Sequence, residues 1–473
     1  MTEREPNGRL RTLLTDARWS GQDFARAVNG VAAETGLTLC YDRTSVSHWL
    51  SGTRPPAHVV ALAAEALTRR TGRRISPADT GLARPAAARA RTRPGGGPGG
   101  APHGPGAPLP PADGTPPAAG RAAPLTVGPF DGLPVYSATW RPHEEPAAAP
   151  WAPAPEDPSG TRLGHRHVEA AEALLPVFRK ADMMCGSGQV RPALTAYLTT
   201  TIAPWLRAEA PPAVRHRLLG AAARLAHTAG FLCFDGNEQG LAQAYYRAAL
   251  RLGREAGDPG CYAPVLRAMS VQAHHLGHRA QAWELARAAA RELPRLPPGQ
   301  AAFVTGQLAV AEAARGDRRA ALTHLAGAER LLGRSLDRSL DRSLDRSLDR
   351  SAGRGAPIGE YHRAAFHHQQ SEALAALGDV PGAESALLAS LRHRPATEHR
   401  ARAVTTARLA ELQLDRGHLE RACATWHELL DLAAPLESAR VDDALRRLRG
   451  RLRPLRAHRT ARARLVRAAG PAP

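Results

Sequence analysis

The chain has 473 residues, room for roughly two to four domains, and its 63 Lys and Arg against 44 Asp and Glu give a formal charge of +19. No run of 18 or more apolar residues occurs and the N-terminus shows no basic-then-apolar leader, so a soluble, cytoplasmic, nucleoid-associated protein with no membrane partner is expected. The charge favours an anionic partner, nucleic acid first, although Lys180 is the only lysine and a GC-rich genome also yields an Arg-, Ala- and Pro-rich chain.

In chain order, the first pattern is a set of helical stripes. Leu10, Leu13, Leu14 and Ala17 form one, Phe24, Ala27, Val28, Val31 and Ala32 a second, and Val59, Leu62, Ala63, Ala66 and Leu67 a third. They predict an all-α domain over residues 8–82.

Between the second and third stripes lies the most informative stretch, residues 42–56. Asp42 is a good N-cap, Gly52 and Pro55-Pro56 are stop signals, and the helix between them is about two turns long. Val46, Trp49 and Leu50 share its apolar face, which assigns Trp49 to the core and not to base stacking. Thr44, Ser47, His48 and Ser51 point the other way, with Arg43 at the boundary. That outer face carries no carboxylate, so it can enter a major groove without repelling phosphate. The candidate DNA-binding residues are therefore Thr44, Ser47 and His48 for base edges, Arg43 for bases or sugar-phosphate, and Arg54 for positioning on phosphate. A small helical domain that binds protein through the same face is the competing reading.

Val46, Ser47, Trp49 and Gly52 stand in the spacing of the recognition helix of the XRE (Cro and phage-repressor type) helix-turn-helix family, which this segment resembles. The resemblance implies that residues 21–27 open the first motif helix and 44–50 form the second. Residues 29–41 depart from it: in place of a tight turn they should lengthen the second helix and add a loop through Gly36.

Residues 83–160 turn to Pro, Gly and Ala and cannot bury enough apolar surface to fold, so they are expected to be a disordered linker. About 75 flexible residues span about 45–50 Å root-mean-square, enough for two arms of a homodimer to reach half-sites about 34 Å apart. Inside this stretch residues 130–136 and Trp140 form an apolar island that either docks on a domain or stays disordered.

From 161 to 470 the sequence is helical and repetitive. A Gly followed by a polar residue recurs at Gly236-Asn237, Gly277-His278, Gly316-Asp317, Gly378-Asp379 and Gly417-His418, at spacings of 41, 39, 62 and 39. Ala282, Ala321, Ala383 and Ala422 follow five residues after their glycines, while Leu241 breaks the pattern in the earliest copy. Setting aside residues 334–357, an insertion with four Ser-Leu-Asp-Arg copies, brings the long spacing close to the others. Leu336, Leu340, Leu344 and Leu348 in that tract either extend a helix or stay disordered; a frayed helix without function is the favoured reading. Units of this period resemble tetratricopeptide repeats, which implies an α-solenoid.

Taken whole, the chain resembles actinobacterial regulators that join an N-terminal XRE-type domain to a C-terminal tetratricopeptide domain, some of them negative regulators of sporulation and antibiotic production. The likeness is carried by residues 43–56, by Arg191-Pro-Ala-Leu-Thr-Ala-Tyr-Leu198, and by Gly230-Phe-Leu-Cys-Phe-Asp-Gly236 running into Gly240-Leu-Ala-Gln-Ala-Tyr-Tyr246. It implies double-stranded DNA as partner and transcriptional control of development or secondary metabolism. The repeats would serve dimerisation or the sensing of a partner or ligand. The rival from another class is a protein-interaction scaffold that does not bind DNA.

For a peptide in the repeat groove the usual Asn lining is missing, since Asn7, Asn29 and Asn237 are the only asparagines; Gln272, Gln307, Gln369, His274 and Arg267 are the substitutes at hand. The clusters His274, His275, His278 and His362, His367, His368 lack the acid of a zinc motif and are read as inter-helix or surface histidines. Cys40, Cys185, Cys233, Cys261 and Cys423 stand singly, against a zinc knuckle or a disulfide framework. Cys185-Gly-Ser-Gly188 reads as a turn. No nucleotide loop, nucleophile elbow or dinucleotide fingerprint occurs, so neither an enzyme nor a cofactor is expected. Residues 446–467 hold ten Arg and no acid, either a solvated capping helix or a contact for phosphates or an acidic partner.

Overall fold

The computed structural model describes residues 6–34, 37, 39–73, 75–83, 135–142, 162–348 and 361–455, the side chains of 338–348 excepted. Among the described residues the chain is all-α, with no strand.

The first four helices are α1 (Gly8–Asp16), α2 (Gly21–Glu34), α3 (Arg43–Leu50) and α4 (Ala57–Thr71). The three apolar stripes of the sequence meet in one core with Val46, Trp49, Ile75 and Leu82. Asn7 fastens both ends of this unit. Its side-chain oxygen accepts from the Leu10 N–H at 3.0 Å, which starts α1, and its amide donates to the Thr80 carbonyl at 3.0 Å. Asn29 plays a similar part at the departure from a tight turn. α2 runs on to Glu34, and the Asn29 amide donates to the Tyr41 carbonyl at 2.8 Å and accepts from the Tyr41 N–H at 3.0 Å, fixing where α3 begins.

Beyond residue 162 follow α5 (His165–Cys185), α6 (Ser187–Tyr197), α7 (Ala203–Arg207), α8 (Pro212–Asp235), α9 (Gln239–Glu255), α10 (Pro259–His275), α11 (Arg279–Ala290), α12 (Pro298–Ala314), α13 (Arg318–Leu348), α14 (Arg363–Ala376), α15 (Val380–His393), α16 (His399–Asp415), α17 (Leu419–Ala433) and α18 (Ala439–Leu452). Consecutive helices from α8 to α17 pair as hairpins, and each hairpin packs on the next.

The Gly-polar turns close these hairpins. Gly277, Gly316, Gly378 and Gly417 adopt φ of 85°, 88°, 81° and 75°, the left-handed region that ends a helix and that side chains resist. In the first hairpin the left-handed residue is Asn237, with φ 60°, while Gly236 is ordinary. The register thus moves on by one, and Ala242, five residues after Asn237, is fully buried like Ala282, Ala321 and Ala383. Leu241 breaks the count only when it starts from Gly236. The α8–α9 pair is close: a Cβ on Gly230 would lie 2.6 Å from the Tyr246 ring.

The Ser-Leu-Asp-Arg tract continues α13 as helix through Leu348, and Leu336 packs against the α12–α14 core. The rest of the 334–357 insertion lies outside the described residues. So does most of the stretch expected as a linker, but at residues 135–142 the linker reading needs a correction in favour of the docked island: they are packed, with Tyr136 and Trp140 buried. An aromatic pair with hydrogen-bonding partners overrides the composition around it. The Ser137 N–H donates to the Gln243 side chain at 2.8 Å, and the Gln281 amide donates to the Ser137 and Trp140 carbonyls at 3.2 and 3.1 Å.

The first helices of the second unit also meet its last ones. α5 packs on α16, where Arg400 donates to Asp182 at 2.9 Å and stands 3.7 Å from Asp235, all three side chains buried. The turn at Cys185–Gly188 receives Glu437: its N–H donates to the Cys185 carbonyl at 2.9 Å, and its carbonyl accepts from the Gly188 N–H at 3.0 Å. Gly186, at φ 87°, leaves no room for a Cβ, which would fall 2.6 Å from the Glu437 oxygen. The array of hairpins therefore closes on itself.

Candidate nucleic-acid interface

α3 is positioned by its cap and by one ring. The Asp42 carboxylate accepts from the Ser45 N–H at 2.9 Å and from the Ser45 hydroxyl at 2.8 Å, and these bonds hold its carboxyl below the usual range. The acid at the start of the helix is thus turned back onto its first turn. The Arg43 N–H donates to the Gln22 side chain at 3.2 Å, joining the start of α3 to the start of α2. On the inner side Trp49 is 4% exposed, wedged edge-on between Phe24 and Tyr41 with centroids 6.1 and 5.0 Å away. A two-turn helix has little stability of its own, and burial of this indole with Val46 supplies most of its hold on the core.

The outer side is open. Arg43, Thr44, Ser47, His48 and Ser51 are exposed along α3, and Arg54 is exposed just past Gly52, whose φ of 94° turns the chain away. The structure thus gathers Arg43, Thr44, Ser47 and His48 on one helix and sets Arg54 in the loop at its end. The Ser51 hydroxyl is spent on the Ser47 carbonyl at 3.0 Å, which leaves Ser47, Thr44 and His48 as the free polar groups of this face. Gln22 was missed by the sequence reading; its exposed position at the start of α2, bonded to the backbone of Arg43, adds it to the same surface.

The N-terminal helices dock on the hairpin array by a different face. Glu65 on α4 is buried, bonded by Arg69 at 3.0 Å and 3.3 Å from His278 at the start of α11. Tyr136 stacks on His278 with centroids 5.4 Å apart and 6° between planes, and its hydroxyl donates to Gln281 at 2.6 Å. Residues 135–142 are thus a strap between α4 and the α9–α11 surface, and this contact leaves the outer side of α3 uncovered.

Of the groove candidates, Arg267, His274, Gln307 and Gln369 line a common cavity, whereas Gln272 is buried elsewhere and donates to Gln239. The histidine clusters separate: His278 faces Glu65, His362 meets Glu398 at 2.9 Å, and His367 pairs with Gln370. Among the described residues no group of His, Cys, Asp and Glu could hold a metal, and no helix is long and apolar enough to cross a membrane. The arginines of α18 are partly neutralised, Arg447 by Glu411 and Arg451 by Asp415; residues 456–467 of that run lie outside the described residues.

Residues 10–83 match the family model described as the SP15 N-terminal domain, a span that starts within α1, takes in α2 through α4 and ends beside Leu82, the last core residue of that unit. Among curated proteins none matches the chain.

Proposed function

We propose that the protein is a sequence-specific DNA-binding transcriptional regulator, with α2 and α3 as a helix-turn-helix and α3 as its recognition helix. The observation that carries this reading is the two-sidedness of α3: its indole is locked in the core, while an exposed row of Arg43, Thr44, Ser47 and His48 presents no carboxylate to an incoming phosphate backbone. The hydroxyls and imidazole address base edges, Arg43 bases or sugar-phosphate, and Arg54 a phosphate. The net charge of +19 supports an anionic partner. In this reading the hairpins are tetratricopeptide-like and serve dimerisation or sensing of a ligand or partner. The resemblance to XRE-type regulators with repeat domains adds control of development or secondary metabolism.

The test is selection of bound sequences from a random duplex pool, followed by mobility shifts at several salt concentrations. Arg54→Ala should weaken all sequences alike and lower the salt slope by about one, while His48→Ala should relax preference at one position, worth about 1–3 kcal/mol. If no sequence is enriched and both variants bind duplex like the parent chain, the reading fails in favour of a protein-interaction scaffold.

A further inference from the structure

The first helix of each later hairpin, α10, α12, α14 and α16, lines a cavity of about 340 Å³ with α18, within the usual size of small-molecule sites. Its arginines fall into two kinds. Arg408 lies 3.2 Å from both Glu372 and Glu411, and Arg447 lies 3.2 Å from Glu411. Arg267 and Arg440 instead lie on aromatic faces, 3.6 Å from the centroid of Phe303 and 4.5 Å from that of Phe234, with no ion pair among the described residues; Asp235 and Glu372 act on Arg440 only from longer range. Burial pulls the Arg267 guanidinium down to about 10, and the opposing influences are only the Tyr246 and Tyr361 phenols.

Charge held away from water without a contacting counter-ion is costly, most of all at half-buried Arg267, where no carboxylate is among the opposing influences. The groups around these two cations lack acceptors as well. Arg267 Nε is buried with no hydrogen-bond partner, and so is Nδ1 of His274, which lines the same cavity. The Tyr246 hydroxyl is buried and unpartnered too, in a side chain with no exposed surface that lies within electrostatic reach of both Arg267 and Arg440. Val271, Val310 and Val404 supply apolar wall to the same cavity.

The geometry points to a binding site for a small organic oxyanion, a carboxylate or a phosphate ester, with its charged head on Arg267 and Arg440 and its apolar body on Val271, Val310 and Val404. This deepens the ligand-sensing half of the proposed function and rests on it, but it is measured without DNA, so either can fail alone.

The full chain is titrated by calorimetry with benzoate, phenyl phosphate and inorganic phosphate, and its melting is followed with and without each. One of the two organic anions should bind saturably, one per chain and more tightly than inorganic phosphate; which of them does so tells carboxylate from phosphate ester. R267M and R440M should each weaken that binding by about tenfold to a hundredfold. R267M should melt no lower than the parent chain in anion-free buffer, because removing a half-buried charge that no carboxylate pairs offsets the lost stacking. Should R440M not fold, R440K keeps the charge without the planar fork and should still weaken binding. No saturable binding at about 10 mM of any probe overturns the site. So does R267M that binds like the parent, or that melts lower with its affinity intact, the mark of a purely structural stack.

Discussion

Tyr136→Ala should release the N-terminal helices from the hairpin array while leaving both folded. The ring is 3% exposed, stacked on His278, and bonded through its hydroxyl to Gln281 at 2.6 Å. Burial pushes that hydroxyl well above the usual phenol range, with the Glu65 carboxylate adding to the effect, so it stays a proton donor at any working pH. Truncating a buried aromatic costs about 3–5 kcal/mol, of which the hydrogen bond carries about 1 and the ring pair about 0.5–1.5. Even the lower figure changes the docked-to-undocked ratio more than a hundredfold, since about 1.4 kcal/mol is tenfold. The α1–α4 core does not include Tyr136 and should keep its own melting transition. Small-angle scattering should show a larger radius of gyration, and hydrogen exchange should show faster amides at 137 and 138, whose N–H groups point at Gln243 and Glu65. A scattering curve that superimposes on the parent, with α4 equally protected, would refute the strap as the element that holds the two parts together.

Two further outcomes follow from buried charge. R400M takes from buried Asp182 and Asp235 their nearest cation, leaving only the longer-range Arg440, and should cost about 3–5 kcal/mol in urea unfolding; an unchanged midpoint would mean the contact between α5 and α16 contributes little. Burial holds the imidazoles of His227 and His368 down to about 3 and about 4, so the unfolded chain binds protons that the folded one refuses. Stability should therefore fall as pH drops from about 6.5 toward about 4, by up to about 1.4 kcal/mol per pH unit for each, and a urea midpoint equal at pH 7 and pH 5 would contradict this.

Local features were legible in the sequence because they are written locally. The stripe from Phe24 to Ala32, the Asp42 cap with its Gly52 stop, and the inward turn of Trp49 all follow from spacing within one or two helical turns. The Gly-polar markers located the hairpin turns, and only the first needed the structure, where an Asn takes the left-handed position one residue later. What could not be read depends on residues far apart in the chain. Tyr136 finds Gln281 across 145 residues and Arg400 finds Asp182 across 218; the apolar island at Tyr136 and Trp140 could be seen, but not whether or where it docks. The cavity was half legible: Arg267 and His274 stood out as polar groups on an otherwise apolar repeat, whereas Arg440 joins them only because α18 returns to α16.

Because Glu437 is seated in the Cys185–Gly188 turn, the hairpins have a fixed circumference. A strand of beads can gain or lose one at either end and stay intact, but a clasped necklace cannot without unfastening. Growth by duplication is then tolerated only outward, in a link between hairpins, and the Ser-Leu-Asp-Arg tract begins in such a place, at the far end of α13 on the way to α14. The same clasp links distant hairpins mechanically, so that loosening any one of them strains all the rest.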